Sequence, residues 1–195
     1  MDLPIYELFI DEEQDNGVAA IALVSRPAIE RTWKAFSSQK HRFQGDAERR
    51  IISGAAMIPD EPIYRKVGDK EFNVVFSAAT IEKISQKFFS NGFTKNINLK
   101  HDPKLVPEGV YVFESFLIDS ARGIQAPIGY DDLPEGSWFI SCKVDNDDVW
   151  NDFVATGKFT GFSVEGNFLH NTEAFIEPEK SVLEQIKDIL NSVEW

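Results

Sequence analysis

The chain has 195 residues, 20 Lys+Arg against 32 Asp+Glu, a formal net charge of −12 and one cysteine. One Cys excludes an intramolecular disulfide and a Cys-rich zinc site, and the acidic balance argues against a nucleic-acid coat protein, which needs clustered Lys/Arg. No apolar run approaches the roughly 18–20 residues of a membrane span. With 43% hydrophobic and 12% aromatic residues the chain is expected to fold, as one domain with a sizeable core and short appendages. The opening MDLPIYELFIDEEQ lacks the basic and apolar regions of a secretory leader, so no secretion is expected.

Taken in chain order, Ile5–Ile10 and Gly17–Val24 read as two short apolar strands around the acidic turn DEEQDNG, with Pro27 ending the second. They form an expected N-terminal strand arm over 1–36. The polar stretch SSQKHRFQGDAERR, 37–50, reads as a linker or exposed loop. A main body follows over 51–170. Ile51–Ile58 is a strand stopped by PDEP, and Phe72–Phe76 is another. Over 80–91 the period changes: Ile81, Ile84 and Phe88 share a helical face, and Gly92 suits the stop. Asn96–His101 is a short strand before the Pro-punctuated loop DPKLVPEG. Val110–Ile118 is apolar at nearly every position and is expected as a central strand buried on both faces. Gly136–Val144 alternates, with Trp138, Ile140, Cys142 and Val144 on one face. Val149, Trp150, Phe153 and Val154 make one face of a short helix ending at Gly157, and Phe159–Phe168 is the expected last strand. Over 171–195, an amphipathic C-terminal helix carries Val182, Ile186, Ile189 and Val193 on one stripe. Many strands, few helices and no βαβ rhythm predict an α+β fold, mostly antiparallel β, with a barrel or half-barrel flanked by a few helices.

Three residues break the apolar pattern. Glu114 lies in VYVFESFLI, on the parity of Val112 and Phe116; burial there demands a partner, and the ordinary reading is a structural ion pair. His101 shares the parity of Ile97 and Leu99, a face where a histidine is usually a core residue, but it stands at a strand end beside a loop. Ser163 shares a small, polar face with Gly161, Glu165 and Asn167, while Phe162, Val164 and Phe168 point the other way. The glycines near Ser163 permit close approach of another backbone, though a solvated face reads the same way, and the GxSxG elbow is missing. His41 and His170 are in weaker settings, and the three histidines have no metal-ligand spacing, so neither a metal nor a cofactor is expected. Cys142 shares the parity of Trp138 and Ile140 and reads as a core thiol. A serine nucleophile needs a base within reach and a third group to orient it, and strands of one sheet could bring Ser163, His101 and Glu114 together.

The stretches GVAAIALVSRPAIERTW, RIISGAAMIPDEPIYR, NLKHD, GVYVFESFLID and LPEGSWFISCKVDNDDVWNDFVATGKFTGFSVEG, in this order over most of 17–168, resemble the XkdF-like branch of tailed-phage prohead proteases. That branch is similar in turn to the wider prohead-protease and herpesvirus assemblin group. The resemblance implies an assemblin-like serine endopeptidase that cuts scaffold and capsid-protein segments during procapsid maturation. It places the catalytic His at His101 of NLKHD and the nucleophile at Ser163 of GFSVEG. The third member varies across the group. Glu114 is the first choice, Glu165 the runner-up, two residues from Ser163 on the same face, and Asp119 and Asp102 trail. His101 would take the Ser163 proton and return it to the leaving amine, with the acid holding the imidazole.

Assemblin-like enzymes place an arginine-bearing segment after the nucleophile for the oxyanion; here no Arg follows Arg122, so the donors must come from elsewhere. The implied partners are capsid and scaffold proteins as substrates, with a possible homo-oligomer through the C-terminal helix, and neither nucleic acid nor membrane. The implied location is the host cytoplasm, inside the assembling procapsid, which a single cysteine suits. The rival readings are a catalytically idle virion module of the same fold and a hydrolase of small esters.

Overall fold

In the computed structural model, which describes residues 3–25 and 44–176, three sheets surround a shared core. The strands are β1 Ile5–Phe9, β2 Gly17–Val24, β3 Gln44–Asp46, β4 Ile51–Met57, β5 Ile63–Val67 and β6 Lys70–Phe76, then β7 Ile97–Leu99, β8 Val110–Leu117, β9 Trp138–Val144, β10 Gly161–Asn167 and β11 Leu169–Ile176. Helix α1 is Ala78–Ser90, and α2, Asp147–Val149, runs on as a π-helical turn over Trp150–Val154. The sheet orders are β11-β1-β6-β5, β10-β2-β7 and β3-β4-β9-β8. All pairings are antiparallel except β1 with β6 and β2 with β7. The expected α+β, mostly antiparallel class holds.

Closure into a barrel does not occur. A barrel needs its terminal strands to pair, and here each sheet stops at edge strands: β11 and β5, β10 and β7, β3 and β8. Strands β1 and β2, expected in an arm, are paired into two of the sheets, and β2 is central, with Ile21, Ala22 and Leu23 fully buried. The three-residue β3 falls within the expected linker, β5 precedes β6, and β11 follows the expected last strand. The C-terminal helix expected around 182–193 lies outside the described residues, as do His41 and most of the linker.

Helix α1 forms where its apolar spacing demands it. The Ser77 hydroxyl caps its start by accepting from the Thr80 amide at 3.4 Å. Ile81, Ile84 and Phe88 are fully buried, and the Phe88 ring meets Trp138 of β9 edge-on at 5.5 Å. Strand β9 is one of the two inner strands of its sheet and is covered on both faces. Trp138, Ile140, Cys142 and Val144 belong to the main core, and Phe139 packs with Ile58, Ile118, Tyr130 and Leu133 in a second cluster.

Strand β8 corrects an expectation. It is an edge strand, and only Val110 and Val112 of its first half are buried, whereas Phe113, Glu114 and Ser115 are exposed. A register shift between Val112 and Glu114 breaks the parity on which the burial of Glu114 was inferred. An edge strand can carry apolar residues outward without being covered, and the composition of VYVFESFLI does not reveal which strand lies beside it.

Candidate active site

The site is built on β10 and the end of β7, with β2 between them. Ser163 lies opposite Ala22, and Ala22 lies opposite Asn98, so the three form one row across the sheet. Ala22 keeps that row flat and dry; it is fully buried, Ser163 and Asn98 are each 3% exposed, and the methyl leaves room above the strand. Two residues along β10, Glu165 falls opposite Ala20 on the same side as Ser163.

His101 reaches this face by a turn, not by strand parity. β7 stops at Leu99, and Leu99–Asp102 makes a tight turn in which the Asp102 amide donates to Leu99 O at 3.1 Å. Its two central residues are left-handed, Lys100 at φ 60° and His101 at φ 62°, the backbone of a type I′ turn. Two non-glycine residues there cost about 1 kcal/mol each, and histidine is among the side chains that adopt this region most readily. The turn carries His101 off the Ile97/Leu99 face expected for it and folds its ring toward β10. Nδ1 then lies 2.7 Å from Glu165 Oε1, and the Asn98 amide donates to the same oxygen at 2.7 Å. A carboxylate oxygen accepts, so Nδ1 is the donor and Nε2 is left as the basic nitrogen.

Asn98 is the residue that sequence reading missed. It stands between the buried apolar residues Ile97 and Leu99, on the opposite parity, where a buried amide has to serve something. Its amide nitrogen holds Glu165, which fixes its orientation and leaves Asn98 Oδ1 buried without a partner among the described residues.

Ser163, His101 and Glu165 open onto a groove of about 530 Å³. All three sheets contribute to its walls: β10, the end of β4 with Met57 and Ile58, and β1, β5 and β6 through Leu8, Ile63, Arg65 and Phe76. The Ser163 hydroxyl makes no hydrogen bond among the described residues, so serine and histidine share the groove without a preformed bond. The His101 side chain is 44% and that of Glu165 30% exposed, so the pair is reachable from solvent while the serine sits at the floor.

The orientation of β10 follows from β2. The Ile21 amide donates to Asn96 O, and Leu23 O accepts from the Lys100 amide, so these residues turn their main-chain groups toward β7. By alternation Ala22 turns toward β10 and uses the main-chain groups of Ser163. Val164, the next residue, therefore directs its amide and carbonyl to the outer edge of β10, and it lines the groove. Beyond it, a register shift between Glu165 and Gly166 bends the strand. Gly166 has no substitute there, because a Cβ would lie 1.9 Å from Gly17 O.

The other acids are placed elsewhere. Glu114 is exposed on β8 opposite Ser141, in the field of Arg49, and is not part of the groove lining. Asp119 caps the turn 120–122, accepting from the Arg122 amide at 3.1 Å, and Asp102 accepts from the Lys104 amide at 2.9 Å. His170 is exposed on β11. Burial pushes the Cys142 thiol up, as expected of a core thiol. Among the described residues no group of His, Cys, Asp and Glu is arranged to hold a metal ion, and no helix is long and apolar enough to cross a membrane.

Comparison with known families finds a match over residues 40–171 to the family described as "Putative phage serine protease XkdF". No curated protein and no solved structure matches the chain.

Proposed function

Given that the chain belongs to the XkdF family of phage serine proteases, we propose that it is an endopeptidase of procapsid maturation whose triad is Ser163, His101 and Glu165. The observation that carries this is the 2.7 Å contact between His101 Nδ1 and Glu165 Oε1 in the groove that Ser163 lines. Glu165 replaces Glu114 as the orienting acid, since Glu114 stands apart from this groove.

In this reading a substrate segment lies along the outer edge of β10 and pairs with the main chain of Val164, as an added strand does. The segment excludes water from the floor of the groove and brings His101 Nε2 within reach of the Ser163 hydroxyl; such contacts commonly tighten only when substrate binds. His101 takes the hydroxyl proton as Oγ attacks the scissile carbonyl. Glu165 holds the ring in the Nδ1–H tautomer and stabilises the imidazolium that forms. The proton then passes to the leaving amine, and water repeats the sequence to release the acyl group. The substrates are scaffold and capsid-protein segments, cut in the host cell inside the assembling procapsid.

Co-expression with the neighbouring capsid and scaffold genes tests this. Mass spectrometry of intact products should show cleaved partner proteins with the wild type and uncut ones with Ser163→Ala. Processing that continues unchanged with Ser163→Ala would move the chain to the rival reading, an idle virion module of the same fold.

A further inference from the structure

The groove contains one charge that the triad does not use. Strand β5 presents Ile63 and Arg65 on the same face, opposite Val74 and Phe72 of β6, and both line the groove. Tyr64 and Lys66 take the other parity, where the Lys66 ammonium meets Glu71 at 2.9 Å. Among the described residues Arg65 is the only lysine or arginine that lines the groove. The groove wall also carries the apolar Leu8, Met57, Ile63, Phe76 and Phe168, beside the polar Ser163, His101 and Glu165.

Arg65 also stands apart from the other described arginines. Arg49 is paired with Asp46 at 2.7 Å, Arg50 with Asp147, and Arg122 with Asp119 at 3.9 Å. Among the described residues Arg65 meets no carboxylate, in a chain that carries an excess of twelve negative charges. One Nη1 proton goes to its neighbour's carbonyl, Tyr64 O, at 3.0 Å, which leaves most of the guanidinium fork unused. Arg65 is an exposed residue of β5, and partial desolvation of its guanidinium pushes its pKa down. A guanidinium always keeps its charge, so Arg65 offers a planar, mostly unused donor fork to an anion brought into the groove.

We propose that Arg65 is the specificity-determining residue of the groove: it receives an acidic side chain of the substrate segment, and so selects peptides in which Asp or Glu stands among bulky apolar residues. This rests on the protease reading for its substrate class. The carboxylate would be held by the guanidinium fork, and the apolar neighbours of the acidic residue would fill the walls around Met57 and Phe76. A lysine or arginine at that peptide position would face an unmatched cation and be rejected.

The test uses short peptides with apolar residues around one varied position holding Glu, Gln or Lys. For the wild type, kcat/KM should favour Glu over Gln by about tenfold, the usual worth of one charge-assisted contact. Arg65→Ala should bring that ratio near one, and Arg65→Glu should turn the preference toward Lys, a gain that a misfolded variant could not show. Equal cleavage of the Glu and Gln peptides by the wild type, or a ratio unchanged in Arg65→Ala, would overturn the proposal. A second arm reads binding alone, by fluorescence anisotropy of the same peptides on Ser163→Ala protein with and without Arg65→Ala. If the wild type cuts no peptide, the protease reading fails, and this arm still decides Arg65: Glu-selective binding that needs Arg65 supports its role, and indifferent binding overturns it.

Discussion

Glu165 and Glu114 offer the same functional group in two environments, and their neighbours decide which one orients a histidine. Glu165 Oε1 takes two donors, His101 Nδ1 and the Asn98 amide, whereas Glu114 lies exposed near Arg49. Glu165→Gln should therefore lower kcat by about a hundredfold or more, because a Gln amide can present a donor to Nδ1 and favour the wrong tautomer. Glu114→Gln, read in the same peptide assay, should leave kcat within about twofold, as surface substitutions away from a site usually do. The reverse ranking would return the orienting role to Glu114. Glu165 was legible in the sequence as a same-face neighbour of Ser163. Its priority was not, since period-two counting gives faces within one strand and says nothing of which turn approaches it. The left-handed backbone of Lys100 and His101 is what delivers the imidazole, and strand parity carried past Leu99 points it the wrong way. Asn98 went unread for a related reason: a single amide in a three-residue strand looks like a strand end until its burial is seen.

The elements that hold these residues are two edge strands, β10 and β7, joined through the central β2. β10 lies against β2, and the crossing of Gly166 over Gly17 sets where the bend after Glu165 falls. Gly166→Ala should lower the stability by about 2 kcal/mol or more, since backbone must move to admit the methyl, and it should impair cleavage by shifting Glu165 relative to His101. Urea unfolding and peptide kinetics check both; a variant of wild-type stability would show that this approach has slack. Helix α1 was readable because its own side chains define the buried face, and β2 because its short apolar run marks a strand. β8 was not. Its apolar run is the run of a central strand, and its edge position comes from β9 lying on one side only. β5 was hidden by its polar surface, in which Ile63 is the only fully covered residue, and with it went the placement of Arg65.

Across the whole molecule, the groove exists because three open sheets meet and do not close. A closed barrel would leave β10 without a free edge, and the edge beside Val164 is what an added substrate strand requires. The net charge of −12, which at first only excludes a nucleic-acid coat, gains a narrower meaning here. In the proposed protease reading, an acidic chain is repelled by DNA, while Arg65 gives the described part of the groove a point of attraction for anions. Sheet class was foreseeable from strand signals, and family resemblance pointed to Ser163 and His101, which line the same groove; the convergence of three sheets on that groove depends on long-range pairing that no local pattern records. The central claim, that Ser163 is a nucleophile activated by His101 and Glu165, is tested most directly by labelling with a fluorophosphonate probe and locating the adduct by peptide mass spectrometry. The wild type should carry one adduct, on Ser163, that is lost in Ser163→Ala and slowed in His101→Ala and Glu165→Gln. A wild type that stays unlabelled, or a Ser163→Ala protein labelled as fast as the wild type, would contradict it.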